Sequence, residues 1–362
     1  MVDSVEKLCN NVNGYSKRLH KLMTRRSSSV TIRDVARQAG VSVATVSRFI
    51  NRNAPVSAEV AERLNQVMTA LRYVPHAAAR NLASRKTRVI GLLLNNLHND
   101  FFVPLLNGVE AVVRKKGYNL IVATYHANSR NAMPPPIGPH NTDGLLVFSD
   151  GLVDEDLANL NASAFPMVLV HRTSPPTLTI PSVTVENIEI THKLVEHLIQ
   201  AHGKRRILFL RGPLHQEDSM RREAGYKSAL AANGIPFDEK LVLNGEYERD
   251  IAFQALNEFL CNGKHVAFDA VFSGDDDAAI GVLRALHKYE YRIPDDVAVV
   301  GFDDLGFASF LNPPLTTVRA PTESVGRIAT EKLFAILENS DSNEAIVLPT
   351  EIIYRRSCGC QA

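Results

Sequence analysis

The stretch Thr31-Ile32-Arg33-Asp34-Val35-Ala36-Arg37-Gln38-Ala39-Gly40-Val41-Ser42-Val43-Ala44-Thr45-Val46-Ser47-Arg48 decides the fold of the N-terminal region. Thr31 stands three residues before Asp34, the spacing of a capping box with aspartate in the place usually taken by Glu or Gln. Ile32, Val35, Ala36 and Ala39 then recur on one helical face. Gly40 supplies the left-handed residue that ends a helix at least cost. Ser42 caps a second helix, which turns Val46, Phe49 and Ile50 inward. A third helix starts at Ser57, carries Val60, Leu64, Val67 and Leu71 as one stripe, and ends before Pro75. Two short helices around a glycine turn form a helix-turn-helix, and the third covers them.

In such a unit the start of the second helix enters the major groove of DNA. Arg48 suits guanine O6 and N7, and Val43 and Ala44 suit thymine methyls. Ser42, Thr45 and Ser47 suit phosphates, and Thr31 joins them on the DNA-facing side. An ordinary helical hairpin with a solvated polar face is the competing reading.

Charge supports the first of these. Residues 1–88 hold 16 Lys/Arg against 5 Asp/Glu, whereas the other 274 hold 24 against 34. A basic head on an acidic body fits a polyanion-binding module joined to something else. The whole chain has 362 residues, 45% hydrophobic and 22% charged, enough for several lobes with real cores. No apolar run reaches membrane-span length, and the first 30 residues lack the core of a secretory signal, so a cytoplasmic location is expected. Cys9, Cys261, Cys358 and Cys360 are too few for a disulfide framework. Residues 1–28 read as a disordered extension, with Met23 a natural start.

From Val89 the pattern changes. Val89-Ile90-Gly91-Leu92-Leu93-Leu94 is a continuous apolar run, as in a parallel strand buried on both faces. Further strand candidates at 118–123, 144–148, 167–170, 206–210, 270–272 and 297–300 alternate with helical patterns at 102–116, 188–201, 219–232, 250–261 and 276–289. That alternation predicts two doubly wound parallel-sheet lobes with a cleft between them. Ligands in such sheets bind beyond the strands' carboxyl ends. The loops at 99–102, 219–222, 275–277 and 302–304 converge there, with His171-Arg172 a weaker addition.

The quoted stretch closely resembles the head of the LacI/GalR family of bacterial transcription repressors. Tyr73-Val74-Pro75-His76-Ala77-Ala78-Ala79-Arg80-Asn81-Leu82 is similar to that family's hinge helix. The resemblance runs from about residue 30 to the C-terminus. It implies an all-α head followed by a body like a periplasmic sugar-binding protein. It also implies a homodimer on operator DNA, with Leu82 wedged between base pairs in the minor groove and Ala78 facing the partner hinge. In the cleft it implies Phe102 packing on a small-molecule effector, Arg222 gripping it and Asp276 binding it, with Arg172 and Asp303 as further contacts. The expected organisation is an extension over 1–28, the DNA-binding head over 29–75, a hinge over 76–88 and an effector-binding and dimerisation domain over 89–362. Within that domain the first lobe takes about 89–187 with a return at about 319–345, and the second about 188–318 with the C-terminal segment.

Two departures from the family stand out. Met133-Pro134-Pro135-Pro136-Ile137-Gly138-Pro139 falls where the first lobe's second helix belongs, and consecutive prolines cannot continue a helix. Asp277-Ala278 replaces a usually hydrophobic pair, so Asp277 either alters ligand choice or faces water.

The reading is a repressor governed by a metabolite, most plausibly a sugar. Rivals are a co-repressor type that binds a purine-like ligand, a transport solute-binding protein and a sugar-processing enzyme. None of the common catalytic signatures occurs, and Asp275-Asp276-Asp277 on one loop poorly suits a two-sided acid/base pair. No cofactor and no metal are expected. Cys358-Gly359-Cys360 lacks a second donor pair and reads as a frayed chain end.

Overall fold

The computed structural model describes residues 30–51, 54–73, 86–97, 100–125, 134–261, 267–339 and 344–361. It divides into two units, Met1–Lys86 and Thr87–Ala362. Ala78, Leu82, Asn99, Met133 and the N-terminal extension lie outside the described residues.

Among its described residues the first unit holds three helices: α1 (Ile32–Ala39), α2 (Val43–Asn51) and α3 (Ala58–Ala70). Val35, Ala36, Ala39, Val46 and Leu64 form its core, with Phe49, Ile50, Val60, Val67 and Leu71 packed around it. The Asp34 carboxylate accepts from both the Thr31 N–H, at 3.0 Å, and the Thr31 hydroxyl, at 2.7 Å. Gly40 adopts φ 63°, the left-handed cap that turns the chain into α2. Ser42 Oγ accepts from Thr45 N at 3.1 Å, capping that helix.

The second unit begins with β1 (Val89–Leu94), α4 (Phe102–Lys115), β2 (Asn119–Thr124), β3 (Gly144–Phe148), α5 (Asp154–Ala162), β4 (Met167–Val170) and β5 (Ser182–Val185). A second set follows: α6 (Ile188–His202), β6 (Ile207–Arg211), α7 (Glu217–Ala232), β7 (Val242–Asn244), α8 (Arg249–Cys261), β8 (Ala270–Ser273), α9 (Asp276–Lys288) and β9 (Ala298–Val300). The chain closes with β10 (Thr317–Arg319), α10 (Thr322–Leu337), β11 (Ala345–Leu348) and β12 (Glu351–Ile353).

Six parallel strands order as β11-β5-β4-β3-β1-β2, and four as β7-β6-β8-β9. Strand β11 therefore returns the chain to the first sheet. Strands β10 and β12 form an antiparallel pair of their own, and a 3-10 turn at Arg356–Cys358 follows.

Two sequence expectations need correction here. The chain end is not frayed: Ser357 and Cys358 are buried, and Ser357 Oγ donates to Val299 O at 2.6 Å while accepting from Thr316 N at 2.7 Å. Long-range partners hold it, which local sequence cannot display. The strands β5, β7, β10, β11 and β12 were also not foreseen, because runs of three or four residues carry almost no periodicity. The proline stretch does lack a helix among described residues 134–143, and Ile137 is instead buried against the sheet.

Candidate functional site

In the head, Ser42, Val43, Ala44 and Arg48 are exposed, Thr45 and Ser47 half-buried, and Val46 fully enclosed. Thr31 is exposed at the start of α1. The apolar side of α2 is used up by the core, so its exposed side carries the arginine, the small apolar groups and the hydroxyls.

In the second unit a cavity of about 340 Å³ opens at the carboxyl ends of both sheets. That size is at the lower end for small-molecule sites. Phe101, Phe102 and Phe148 form an apolar wall, with Phe102 and Phe148 ring centroids 5.2 Å apart. Arg222, Asp218, Tyr247, Asp275 and Asp303 supply the polar wall.

Arg222 is deeply buried. Its Nε donates to Asn187 Oδ1 at 2.9 Å and its Nη1 to Gly274 O at 2.6 Å, while Nη2 lies 3.4 Å from Asp303 Oδ1. The guanidinium also stacks over Phe302, 3.6 Å from the ring centroid. Burial opposes its charge, but Tyr247, Asp303, Asp218 and Asp275 around it keep it firmly protonated. For Asp303 burial dominates and raises its carboxyl above the ordinary range, despite the offsetting Arg222 and His171. Burial also raises Asp275 well above that range, with Asp303 adding repulsion. The Tyr247 hydroxyl is buried at the cavity with no protein hydrogen-bond partner among the described residues. Gly212 leaves it room, since a Cβ there would meet the Tyr247 ring at 2.1 Å.

The rim ties the two lobes together. His171 Nδ1 lies 2.7 Å from Asp218 Oδ2, and His215 Nε2 lies 2.6 Å from Asp150 Oδ2. Glu217 accepts from Thr173 N at 2.6 Å and from its hydroxyl at 2.8 Å. Asn187 Nδ2 donates to Asp218 Oδ1 at 2.9 Å.

A model of the "Bacterial regulatory proteins, lacI family" matches residues 31–76, and one of the "Periplasmic binding protein-like domain" matches residues 195–358. Catabolite control protein A of Priestia megaterium is 30% identical over 334 residues, covering 91% of this chain and 99% of that protein. The chain belongs to the LacI family of bacterial regulatory proteins. It is thus a DNA-binding transcriptional regulator. Among solved structures, the lac repressor dimer bound to operator and the anti-inducer ONPF matches with a TM-score of 0.74 and 26% identity. The complex of the transcriptional regulator CelR with cellobiose matches with a TM-score of 0.65 and 29% identity. Each covers 91% of this chain, and this chain covers 99% of each.

Of the cleft residues expected from sequence, this LacI-family regulator brings Phe102, Arg222 and Asp303 onto one cavity. Two others are placed elsewhere. Asp276 is fully buried and turned away, accepting from the Thr317 hydroxyl at 2.6 Å and from Leu305 N at 2.9 Å. The N-cap residue Asp275 lines the cavity in its place. Arg172 lines a neighbouring cavity of about 360 Å³, where it donates to Leu152 O at 2.7 Å and pairs with Asp154. Asp277 neither faces water nor reaches the cavity: it pairs with Arg249 and accepts from that residue's N–H at 2.9 Å, capping α8. Tyr247, Asp150, His215 and Gln216 were missed, since their loops carry no motif. Only the left-handed φ of 60° at Tyr247 marks its position as unusual, and sequence does not show that.

Proposed function

We propose that this regulator is a repressor that binds operator DNA as a homodimer and is controlled by a small polar metabolite, a sugar or sugar derivative. In this reading Arg48, Val43 and Ala44 read bases from the major groove, while Thr31, Ser42, Thr45 and Ser47 position the head on phosphates. Ala78 and Leu82 take the hinge roles implied by the family. The protein works in the cytoplasm, where operators are, and acts as a regulator rather than an enzyme.

One observation carries the effector assignment: an aromatic wall of Phe101, Phe102 and Phe148 faces a buried array of Arg222, Tyr247, Asp275 and Asp303 across one cavity. A pyranose offers an apolar face and a rim of hydroxyls, which such walls match in donors and acceptors. Phe102, Arg222, Asp303 and Asp275 are the contacts we assign. Arg172 and Asp276 act on the neighbouring loops instead.

The test is a thermal-shift panel of mono- and disaccharides, their phosphates and purine bases, followed by operator binding with each hit. A sugar at 100 times its dissociation constant adds about 2.7 kcal/mol and changes operator affinity. A response confined to purines rejects the sugar reading in favour of the co-repressor type.

A further inference from the structure

His197 and His202, and far from them in sequence Cys358 and Cys360, place one ligand atom each within 4.8 Å of all the others. His197 and His202 come from the last turns of α6, and the cysteines from the chain's final turn. We propose that these four side chains hold a structural zinc ion that fastens the C-terminal segment to α6.

Four of the six ligand–ligand distances are close to those of a tetrahedral ion, and all six are within 4.8 Å. Zn–S bonds of about 2.3 Å and Zn–N bonds of about 2.0–2.1 Å give ligand–ligand edges of roughly 3.3–3.8 Å. Here His197 Nε2 lies 3.1 Å from His202 Nε2, 3.4 Å from Cys360 Sγ and 3.8 Å from Cys358 Sγ. His202 Nε2 lies 3.5 Å from Cys360 Sγ. Both imidazoles present the same nitrogen, and two thiols with two imidazoles make a closed Cys₂His₂ set, typical of structural rather than catalytic zinc.

The surroundings are built for it. The Thr316 hydroxyl lies 3.1 Å from Cys358 Sγ and can donate to a thiolate, an outer-shell bond of the kind that orients a ligand. The His197 ring packs on Tyr354 at 4.5 Å, fixing its plane. Gly359 holds φ 108°, and a Cβ there would stand 3.0 Å from His202 Nδ1. Only glycine between the cysteines lets both sulfurs turn toward the imidazoles. A bound divalent ion favours thiolate over thiol, so loading releases the thiol protons.

The site lies apart from the effector cavity, and none of its ligands lines it. Its mechanical role is local. The segment it fastens carries Ser357, bonded to Val299 and Thr316, and Arg355, which donates to Asp304 Oδ1 at 2.7 Å.

The experiment uses the full chain, purified under reducing conditions and dialysed against a weak chelator. Metal content is read by mass spectrometry, and cobalt(II) is then exchanged in. The expected result is one zinc per chain and, with cobalt, an intense tetrahedral ligand-field spectrum with a thiolate charge-transfer band. Cys360→Ser and His202→Gln, both only partly buried, each lose metal affinity by more than the roughly 10–100-fold that outer-shell changes cost. Cys261→Ser, at an exposed cysteine outside the cluster, retains the metal and the cobalt spectrum. Circular dichroism of each variant separates metal loss from unfolding. Chains without stoichiometric metal, an octahedral cobalt spectrum, metal retained equally by all variants, copper in place of zinc, or a Cys358–Cys360 disulfide in the reduced preparation would each overturn the proposal.

Discussion

Asp275 and Asp276 are adjacent, yet one caps a helix at the cavity and the other braces the loops behind it. Burial raises both carboxyls well above the ordinary range, and Asp303 adds to each shift. Asp276→Ala leaves the Thr317 hydroxyl and Leu305 N–H without their acceptor and is expected to cost about 1–3 kcal/mol in urea unfolding. Asp276→Asn keeps one acceptor and no charge. A group whose folded pKa is raised gives stability that is fully present below its unfolded pKa of about 3.9 and lost as pH rises through the folded value. The stability difference between Asp276→Asn and the parent therefore moves in favour of asparagine as pH rises above about 3.9. A difference that is flat or moves the other way contradicts the raised pKa. Tyr247 gives a cleaner probe of ligand binding than Arg222, whose removal strands Asp303 and Asn187 in the interior. Tyr247→Phe removes a hydroxyl that has no protein partner among the described residues, so it should leave thermal stability unchanged or raised. Calorimetry with the effector should show affinity weakened by about 0.5–1.5 kcal/mol, the worth of one hydrogen bond. Full affinity in Tyr247→Phe would place the ligand away from that hydroxyl.

At the scale of elements, α2 presents Arg48 exposed on the side opposite Val46. Arg48→Ala should cost about 1–3 kcal/mol on operator and relax one base position, with much less loss on unrelated DNA. Equal loss on every sequence, measured by mobility shift at fixed salt, would reduce Arg48 to a phosphate contact. That this helix was legible in sequence follows from its locality: cap, stripe, Gly40 and recognition face all lie within twenty residues of chain. The alternating sheets were legible for a similar reason, as apolar runs such as 89–94 are strong local signals. What failed was long-range. Nothing near Asp277 announces Arg249, which is 28 residues away, and nothing near Cys358 announces His197, 161 residues away. The one-residue displacement of the cavity carboxylate, from Asp276 to Asp275, is long-range too: the expected helix at 276–289 starts where α9 does, but the Thr317 hydroxyl and the Leu305 N–H, 41 and 29 residues away, hold Asp276 off the cavity.

At the scale of the second unit, closure of the cleft rests on contacts between lobes, and the His171–Asp218 pair is one of them. Asp218 receives His171 from the first lobe, Asn187 from the junction and the field of Arg222 from its own helix. Burial works against its charge, but those three together hold its carboxyl below the ordinary range. An opening that parts His171 from Asp218 would move its carboxyl up toward the ordinary value. A group whose pKa is depressed in one state favours that state above the ordinary pKa and ceases to as pH falls through the depressed value. Acid should therefore loosen closure through Asp218, whereas Asp275 and Asp303, with raised values, push in the opposite sense. The parent's pH profile mixes these effects, so the variant comparison must isolate one. Asp218→Asn keeps the shape and the site for Asn187 but puts a neutral amide where the carboxylate faces His171. At about pH 7 it should bind effector more weakly by about 1–3 kcal/mol, the cost of a lost charge-assisted bond. On acidification through the depressed value of Asp218 the parent loses its advantage, so the two affinities should converge as pH falls below about 3.9. Calorimetric titration of both proteins at several pH values reads this directly, and parallel profiles with a constant gap would mean that Asp218 acts by shape alone.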